Sequence, residues 1–481
     1  MKRTLLVVVL VLCGQARADD AVKPISLAEV LAAAVRQAPE LERASMDLEA
    51  ARGTLQRAEG IEDIRVSATY NFIRFSLPMD QEDMTTGYVD VSRALPTGGM
   101  FHVTASGTKV EAGTTFGGVV YPPGVTTGLQ FALVQPLLRN FGLGVARAPR
   151  YEAEHRADAA ALDRELRARD LVRAIVDAYW RVALAHAQLD IRKAALATAE
   201  QQAKFTESAI KIGKLPRSEL LAVEQAIAVR KQDILAAELD VTERSLALRR
   251  IAGLEIGPDA IEVATAVLPA VKPEQIDAHD SIARALAHSP AIAQAMAAQD
   301  AEDARTTAAD SQLLPQLDLG LSAGPLGTGT NFSSSFHSLK SSAGYQAGVS
   351  LTASYALGRN DEHGGARQAH ARLYKAKVDA RDAKAAVAAD AARTVQAAKA
   401  AATSIELGDK AVELATENVE AEIHRFEDRK STNFDVLRRQ DELQAAKLRR
   451  ATAIVDYLSA RARLGALTGT ILGEYGIRLP E

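Results

Sequence analysis

Along most of the chain the apolar positions recur at helical spacing, but in four places they fall on every second residue. In one, Ile64, Val66, Ala68, Tyr70 and Phe72 alternate with Arg65, Ser67, Thr69 and Asn71, which predicts a half-buried strand with one apolar face. Further on, Leu129, Phe131 and Leu133 share one side of a stretch that ends at Pro136. Later in the chain Leu317, Leu319 and Leu321 stand opposite Gln316, Asp318, Gly320 and Ser322, and Ala347, Val349, Leu351 and Ala353 stand opposite Gly348, Ser350, Thr352 and Ser354. Strands are therefore expected over about 64–75, 125–136, 315–323 and 345–356, with a further hairpin at 88–108 turning at Pro96 to Gly99. The Gly/Ser/Thr-rich stretches 111–125 and 324–338 read as exposed loops.

Elsewhere the spacing is helical. Ser26 and Glu29 fit a capping box that opens a short helix, and Pro39 and Pro290 each suit the first turn of a second helix, running to about Glu59 and Ser311. The longest elements run from Ala146 to about Ile212 and from Gly365 to about Asp428. At 1.5 Å per residue each extends roughly 95 to 100 Å, several times the width of a small globular domain. Each breaks once, at "KLPRSELLAVEQ" and at "KSTNFDVLRRQ", then returns as a shorter helix, Pro216 to Ala252 and Asn433 to Leu467, with Asn433 read as the cap. The breaks are the tips of helical hairpins.

The two halves follow one plan. At an offset of 251 residues Pro39 lies over Pro290, Leu41 over Ile292, Ala44 over Ala295 and Ala50 over Ala301. At an offset of 216 Glu219 lies over Asp435, Leu221 over Leu437, Ile227 over Leu443 and Leu248 over Leu464. The expected organisation is a leader at 1–18, a first repeat at 19–260, a linker at 261–275, a second repeat at 276–472 and a tail at 473–481. The leader rests on Lys2 and Arg3, an apolar run from Leu5 to Cys13, and Ala16-Arg17-Ala18 as the cleavage site. Cys13 as a lipidation site is the alternative reading; the large Leu12 before it stands where a small residue is usual.

Composition narrows the picture. Aromatic residues make up only 5% of the chain while alanine is abundant, which favours close packing of long helices over a bulky globular core. Loss of Lys2, Arg3 and Arg17 reduces 57 basic residues to 54 against 61 acidic ones and moves the charge from −4 to −7, so no basic footprint for nucleic acid remains. After the leader no apolar run approaches the ~18 residues of a membrane-spanning helix, so any crossing of a membrane must be made by strands. Strands of about 9 to 11 residues with one apolar and one small polar face are the signature of an outer-membrane barrel. Four strands, or six with the hairpin, are too few to enclose an open lumen, and open edges in lipid leave unsatisfied backbone groups, so other copies of the chain must complete the wall. The long helices then continue that wall as a coiled-coil tube.

The duplicated plan, the "QPLL" of Gln135 to Leu138 after a strand, and the tip followed by Asp435-Val436-Leu437 resemble the TolC family of outer-membrane channel proteins over nearly the whole mature chain. The resemblance implies a homotrimer, mainly α-helical, with a barrel of about a dozen strands in outer-membrane lipid and a long helical tunnel across the periplasm. It implies an exit duct for efflux pumps or type I secretion that docks an inner-membrane transporter through a periplasmic adaptor. Asp435 matches the family's first entrance aspartate, Glu219 takes the equivalent place in the first repeat, and Ser218 lies beside it. Where the family's pattern has a second aspartate this chain has Arg438, and where a glycine and an arginine precede it has Arg429 and Ser431, departures that bear on the closing ion-pair network. A ring of carboxylates in a narrow pore controls which ions enter, and their mutual repulsion raises some of their pKa values. Alternatively Asp435 simply favours its helix N-terminus. Gly213, Leu215, Pro216, Leu220 and Leu221, with Phe434 and Leu437, are the candidate adaptor-docking residues; packing of the hairpins is the other role open to Leu221 and Leu437.

Trp180, beside Tyr179, is read as packing between chains. His363 and His370 are too isolated for a metal site, the glycines of "GPLGTGT" lack the lysine of a phosphate-binding loop, and no nucleophile and base share a recognisable frame. Neither cofactor, metal nor catalysis is expected. The competing reading is a non-conducting periplasmic coiled-coil spacer, and a more remote one is an exported enzyme with helical arms.

Overall fold

The computed structural model describes residues 25–478 apart from 78–79, 112–113, 117–118, 122, 257–266, 342–343 and 429. The expected leader with Cys13, residues 261–266 of the expected linker, residues 479–481 of the expected tail, and Arg429 lie outside the described residues.

In chain order the first half runs α1 (Leu27–Gln37), α2 (Pro39–Glu59), β1 (Arg65–Leu77), β2 (Asp80–Ala94), β3 (Met100–Val110), the short pair β4 (Thr114–Phe116) and β5 (Val119–Tyr121), β6 (Gly124–Pro136), α3 (Leu143–Ala146), α4 (Ala148–Lys211) and α5 (Ser218–Ala252). The second half runs α6 (Ala278–His288), α7 (Pro290–Ser311), β7 (Gln316–Gly329), α8 (Phe332–Lys340), β8 (Gly344–Ser354), α9 (Asn360–Glu427), α10 (Asn433–Thr468) and α11 (Ile471–Glu474). Ser26 and Glu29 form a reciprocal capping box at α1, and a proline opens α2 and α7.

The hairpin after β1 joins the main sheet. Six antiparallel strands lie in the order β1-β2-β3-β6-β7-β8, with β1 and β8 at the edges. Register carries the period-two pattern across all of them: Val66, Val91, Val103, Phe131, Ala323 and Ala347 form one apolar row. The next row, Arg65, Ser92, His102, Ala132, Ser322 and Gly348, is small or polar. The apolar face is not half-buried as alternation suggests; Tyr70, Phe72, Val89 and Phe131 are exposed. Among the described residues nothing else covers most of that face, which is what a lipid-facing surface requires.

The stretch 324–338 is not a loop throughout. β7 extends to Gly329, and α8 follows, opened by a capping box between Asn331 and Ser334. Phe332, Phe336 and Leu339 share one side of this helix of about two and a half turns, a spacing masked in the sequence by the intervening serines. Ser335, fully buried, seats it on the sheet by donating to the Gly327 carbonyl at 2.9 Å and meeting the Thr127 hydroxyl at 2.9 Å. α9 starts at Asn360 instead of Gly365, because Asp361 and Glu362 complement the helix dipole before the two glycines. The C-terminal segment is not a free tail: Ile471 is fully buried, and Tyr475 and Ile477 pack against the main core.

That core lies part-way down α4, where Leu171, Val172, Ile175, Val176 and Tyr179 meet Val30 and Leu31 of α1, Leu248 of α5 and Ala462 of α10. The Tyr179 hydroxyl donates to the Ile25 carbonyl at 3.0 Å, and Trp180 stands edge-on to Tyr179 at 5.2 Å while packing on the same cluster. Trp180 is thus half-buried within its own chain, with part of its ring left exposed. Below this belt α4 pairs with α5 and α9 with α10, and α4 against α10 joins the hairpins. Alanines such as Ala199 on α4 and Ala391 and Ala398 on α9 are fully buried, letting helix axes approach closely. From Leu171 to the end of α4 at Lys211 the helix descends about 60 Å at 1.5 Å per residue. Among the described residues no helix is long and apolar enough to cross a membrane.

Candidate functional site

The two tips are built differently. At the first, the chain leaves α4 through Gly213 at φ +70°, a left-handed conformation that glycine adopts without Cβ strain. Its amide donates to the Ile210 carbonyl at 2.9 Å and that of Lys214 to Ala209 at 2.8 Å, closing the helix end. At the second, Thr432 is the N-cap of α10, not Asn433: Thr432 and Asp435 form a capping box. The spacing Thr-x-x-Asp carried that signal in the sequence.

Asp435 accepts from the Thr432 hydroxyl at 2.7 Å, the Thr432 amide at 3.2 Å and the Ser431 hydroxyl at 3.4 Å. These bonds, the Thr432 hydroxyl foremost and its amide next, hold the Asp435 carboxyl below the usual aspartate range. Within one chain the shift is thus opposite to the rise expected of crowded carboxylates, because the helix start supplies donors where other chains would supply charge.

Glu219 reaches across to the second tip and accepts from the Asn433 amide at 3.1 Å. Asn433 itself is fully buried at N1 of α10. Its side-chain carbonyl accepts from Gln202 Nε2 at 2.7 Å, and its amide donates at 3.1 Å to the Thr206 hydroxyl. Phe205 and Phe426 meet nearby with ring centroids 5.9 Å apart. Higher up, the buried Arg230 of α5 donates to the Ala195 carbonyl of α4 at 3.2 Å and to Asp441 of α10 at 2.8 Å. Ser431 bonds to Glu422, a buried carboxylate that also pairs with Arg425 at 3.4 Å. Glu219 therefore belongs to a polar seam that lashes the two hairpins together, while Asp435 fastens only the start of its own helix.

Arg438 points outward and pairs with Glu442 at 3.4 Å, one turn along its own helix. Ser218, Gly213 and Pro216 are exposed, Leu215 and Leu220 half-buried, and Leu221 and Phe434 project into solvent at 64% and 66% exposure. Leu437 is buried at 6%, on the inner side of α10, so a docking surface has to do without it. Sequence reading missed Asn433 as a bridge, together with Gln202, Thr206, Phe205 and Arg230. Their partners lie far away in the chain, and no periodicity marks them. His370 is engaged by Asp310 at 2.9 Å, away from His363.

The model of the outer membrane efflux protein family matches residues 128–254 and 281–470, well over half of the chain and once in each repeat. The chain belongs to the outer membrane efflux protein family. Membership in this family places it in the outer membrane, among efflux channels, and accords with the resemblance carried by "QPLL" and the duplicated plan. The fold is similar to that of the outer membrane protein VceC of Vibrio cholerae, with a TM-score of 0.69 at 17% identity over 92% of this chain and 96% of that one. The Campylobacter jejuni CmeC outer membrane channel gives 0.69 at 13% identity over 95% and 87%. The open state of the Neisseria gonorrhoeae MtrE outer membrane channel gives 0.66 at 18% identity over 92% and 89%. No curated protein sequence matches the chain significantly. At these identities the solved channels share its fold.

Proposed function

We propose that this outer membrane efflux protein is a passive, gated exit duct, working as a homotrimer in a tripartite pump or a type I secretion system. The observation that carries the reading is the union of two incompatible surfaces in one chain. A sheet with one apolar and one small polar face continues into helical hairpins that reach about 60 Å beyond the main core. Such a molecule has one end fit for lipid and one end fit for the periplasm. In this reading three pairs of tips surround the periplasmic entrance, with Glu219 and Asp435 supplying its negative charge and Ser218 and Arg438 flanking them. Leu221 and Phe434, with Gly213, Leu215, Pro216 and Leu220, form the surface offered to an adaptor that links the duct to an inner-membrane transporter.

Single-channel recording in planar bilayers tests this. Glu219→Gln and Asp435→Asn remove charge but retain an acceptor for the Asn433 amide and for Thr432, so the tip keeps its hydrogen bonds. The native protein should give a small cation-selective conductance and the double variant a weaker preference for cations. A pore indifferent to both changes would leave the duct and remove the acidic entrance. Correctly assembled oligomers that do not conduct, or a chain released by osmotic shock without detergent, would favour a periplasmic spacer instead.

A further inference from the structure

Each chain brings six strands to the wall, not four, and that changes the size of the object it builds. The hairpin β2–β3 is an integral part of the sheet. β1 pairs with β2 over Arg65↔Ser92 to Leu77↔Asp80, β2 with β3 over Met84↔Val110 to Ala94↔Met100, and β3 with β6 over Met100↔Val134 to Val110↔Gly124, with no slip in any ladder. Over Val89 to Ser92 and His102 to Ala105 its side chains obey the face rule of their neighbours, with Val89, Val91, Val103 and Ala105 in the apolar rows and Asp90, Ser92, His102 and Thr104 in the polar ones. A hairpin standing in water above the membrane has no need to continue a lipid-facing pattern.

The edges show what is missing. β1 and β8 are not paired with each other, and every described residue of β8 but the first is exposed. Apolar residues on the edge strands are barer than their row partners inside the sheet: Val66 is 69% exposed against 36% for Val91 and 44% for Phe131, and Val349 77% against 40% for Leu321 and 39% for Phe101. β1 ascends from the helical end and β8 descends to it, so a β8 edge can meet the β1 edge of another copy in the same antiparallel sense used throughout the sheet. Six strands cannot close alone around a lumen, since about eight already fill their interior with side chains.

We infer that β1 of one copy pairs with β8 of the next and that three copies close an eighteen-stranded barrel, wider than the dozen strands the family resemblance implies. The occupant of both sheet edges is a second copy of this chain, and the inference rests on the homotrimeric duct proposed above. With strands about 4.8 Å apart and tilted about 40°, eighteen strands span about 36 Å between backbones, against about 24 Å for twelve. Barrels of that strand number leave an aqueous channel. The polar rows, in which Asp90 meets Thr104 at 2.6 Å and His102 at 3.2 Å, line it.

Cysteine substitution of the full chain in phosphatidylcholine vesicles tests the strand count, because the only native cysteine, Cys13, lies in the expected leader. Single cysteines at Val91, Ser92, Ala105 and Ser106 are exposed to a charged, membrane-impermeant thiosulfonate, with Gln130 and Phe131 of β6 as reference. On the inference, Ser92→Cys and Ser106→Cys react at least about 10-fold faster than Val91→Cys and Ala105→Cys, the same split as Gln130→Cys over Phe131→Cys. Uniform fast reaction in the hairpin, with the split kept at β6, would place β2–β3 outside the wall and overturn the eighteen-stranded ring while leaving the channel intact. Loss of the split at β6 as well would sink the membrane wall itself. Thr69→Cys combined in turn with Gln346→Cys, Gly348→Cys and Ser350→Cys should give, on oxidation, a ladder ending at the trimer for at least one pair. Absence of cross-linking for all three would refute the β1–β8 seam.

Discussion

Asn433 concentrates more of the tip's hydrogen bonding than either carboxylate singled out from the sequence. Its side chain satisfies Gln202 and Thr206 while its backbone amide satisfies Glu219, and Asn433 and Thr206 are themselves fully buried. Leaving such buried partners unmatched costs about 1–3 kcal/mol, so Asn433→Ala should destabilise the tip by about that amount. Hydrogen exchange at the start of α10 should rise well above that of an exposed control such as Arg438→Ala. Asp435 supplies a pH dependence of known sign. Its folded pKa is depressed, so its contribution to the tip is fully present above the ordinary value of 3.8 and is lost only as pH falls below that, through the lowered pKa. Protection of the α10 amides should therefore hold from pH 7 to pH 5 and fall off near pH 3, and Asp435→Asn should flatten that loss. The carboxylates were legible because the repeats align them. The partner of Asp435, Thr432, was marked by the capping-box spacing, but that of Glu219 was not, since Asn433 and Glu219 lie 214 residues apart in the chain.

At the level of elements, periodicity gave the strands and the long helices, and failed where composition contradicts geometry. α8 is written in serines, poor helix formers by propensity, and is held by a capping box and by Ser335 against the sheet. The hairpin of β2 and β3 was visible as a hairpin, but its neighbours are fixed by register, and register depends on strands a repeat away. One seam can be probed directly. β6 and β7 join the two repeats, and their ladder is interrupted where Pro325, which has no N–H, and Gly324 face Leu129 and Gln130. A Cβ at Gly324 would sit 1.9 Å from the Leu129 carbonyl oxygen, so backbone must move to admit it. Gly324→Ala should cost about 1–3 kcal/mol and lower the temperature at which the oligomer dissociates in detergent, measured by semi-native electrophoresis. Gly348→Ala, where the nearest atom is a serine hydroxyl at 3.2 Å, is the control expected to change little.

The molecule as a whole is unfinished when it is one chain. Two sheet edges lie open at one end, apolar rows stay bare, and among the described residues the packed core belongs to the helical half. That incompleteness has a genetic consequence. A copy that folds its helices but lacks a competent β8, for instance through proline substitution of Thr352 and Ser350, still offers β1 to its neighbours and cannot pass the ring onward. Co-produced in equal amount with the intact chain, it should enter most rings, leaving about one in eight free of it under random threefold mixing. Export should then fall by far more than half, and the defective allele should behave as dominant over the intact one.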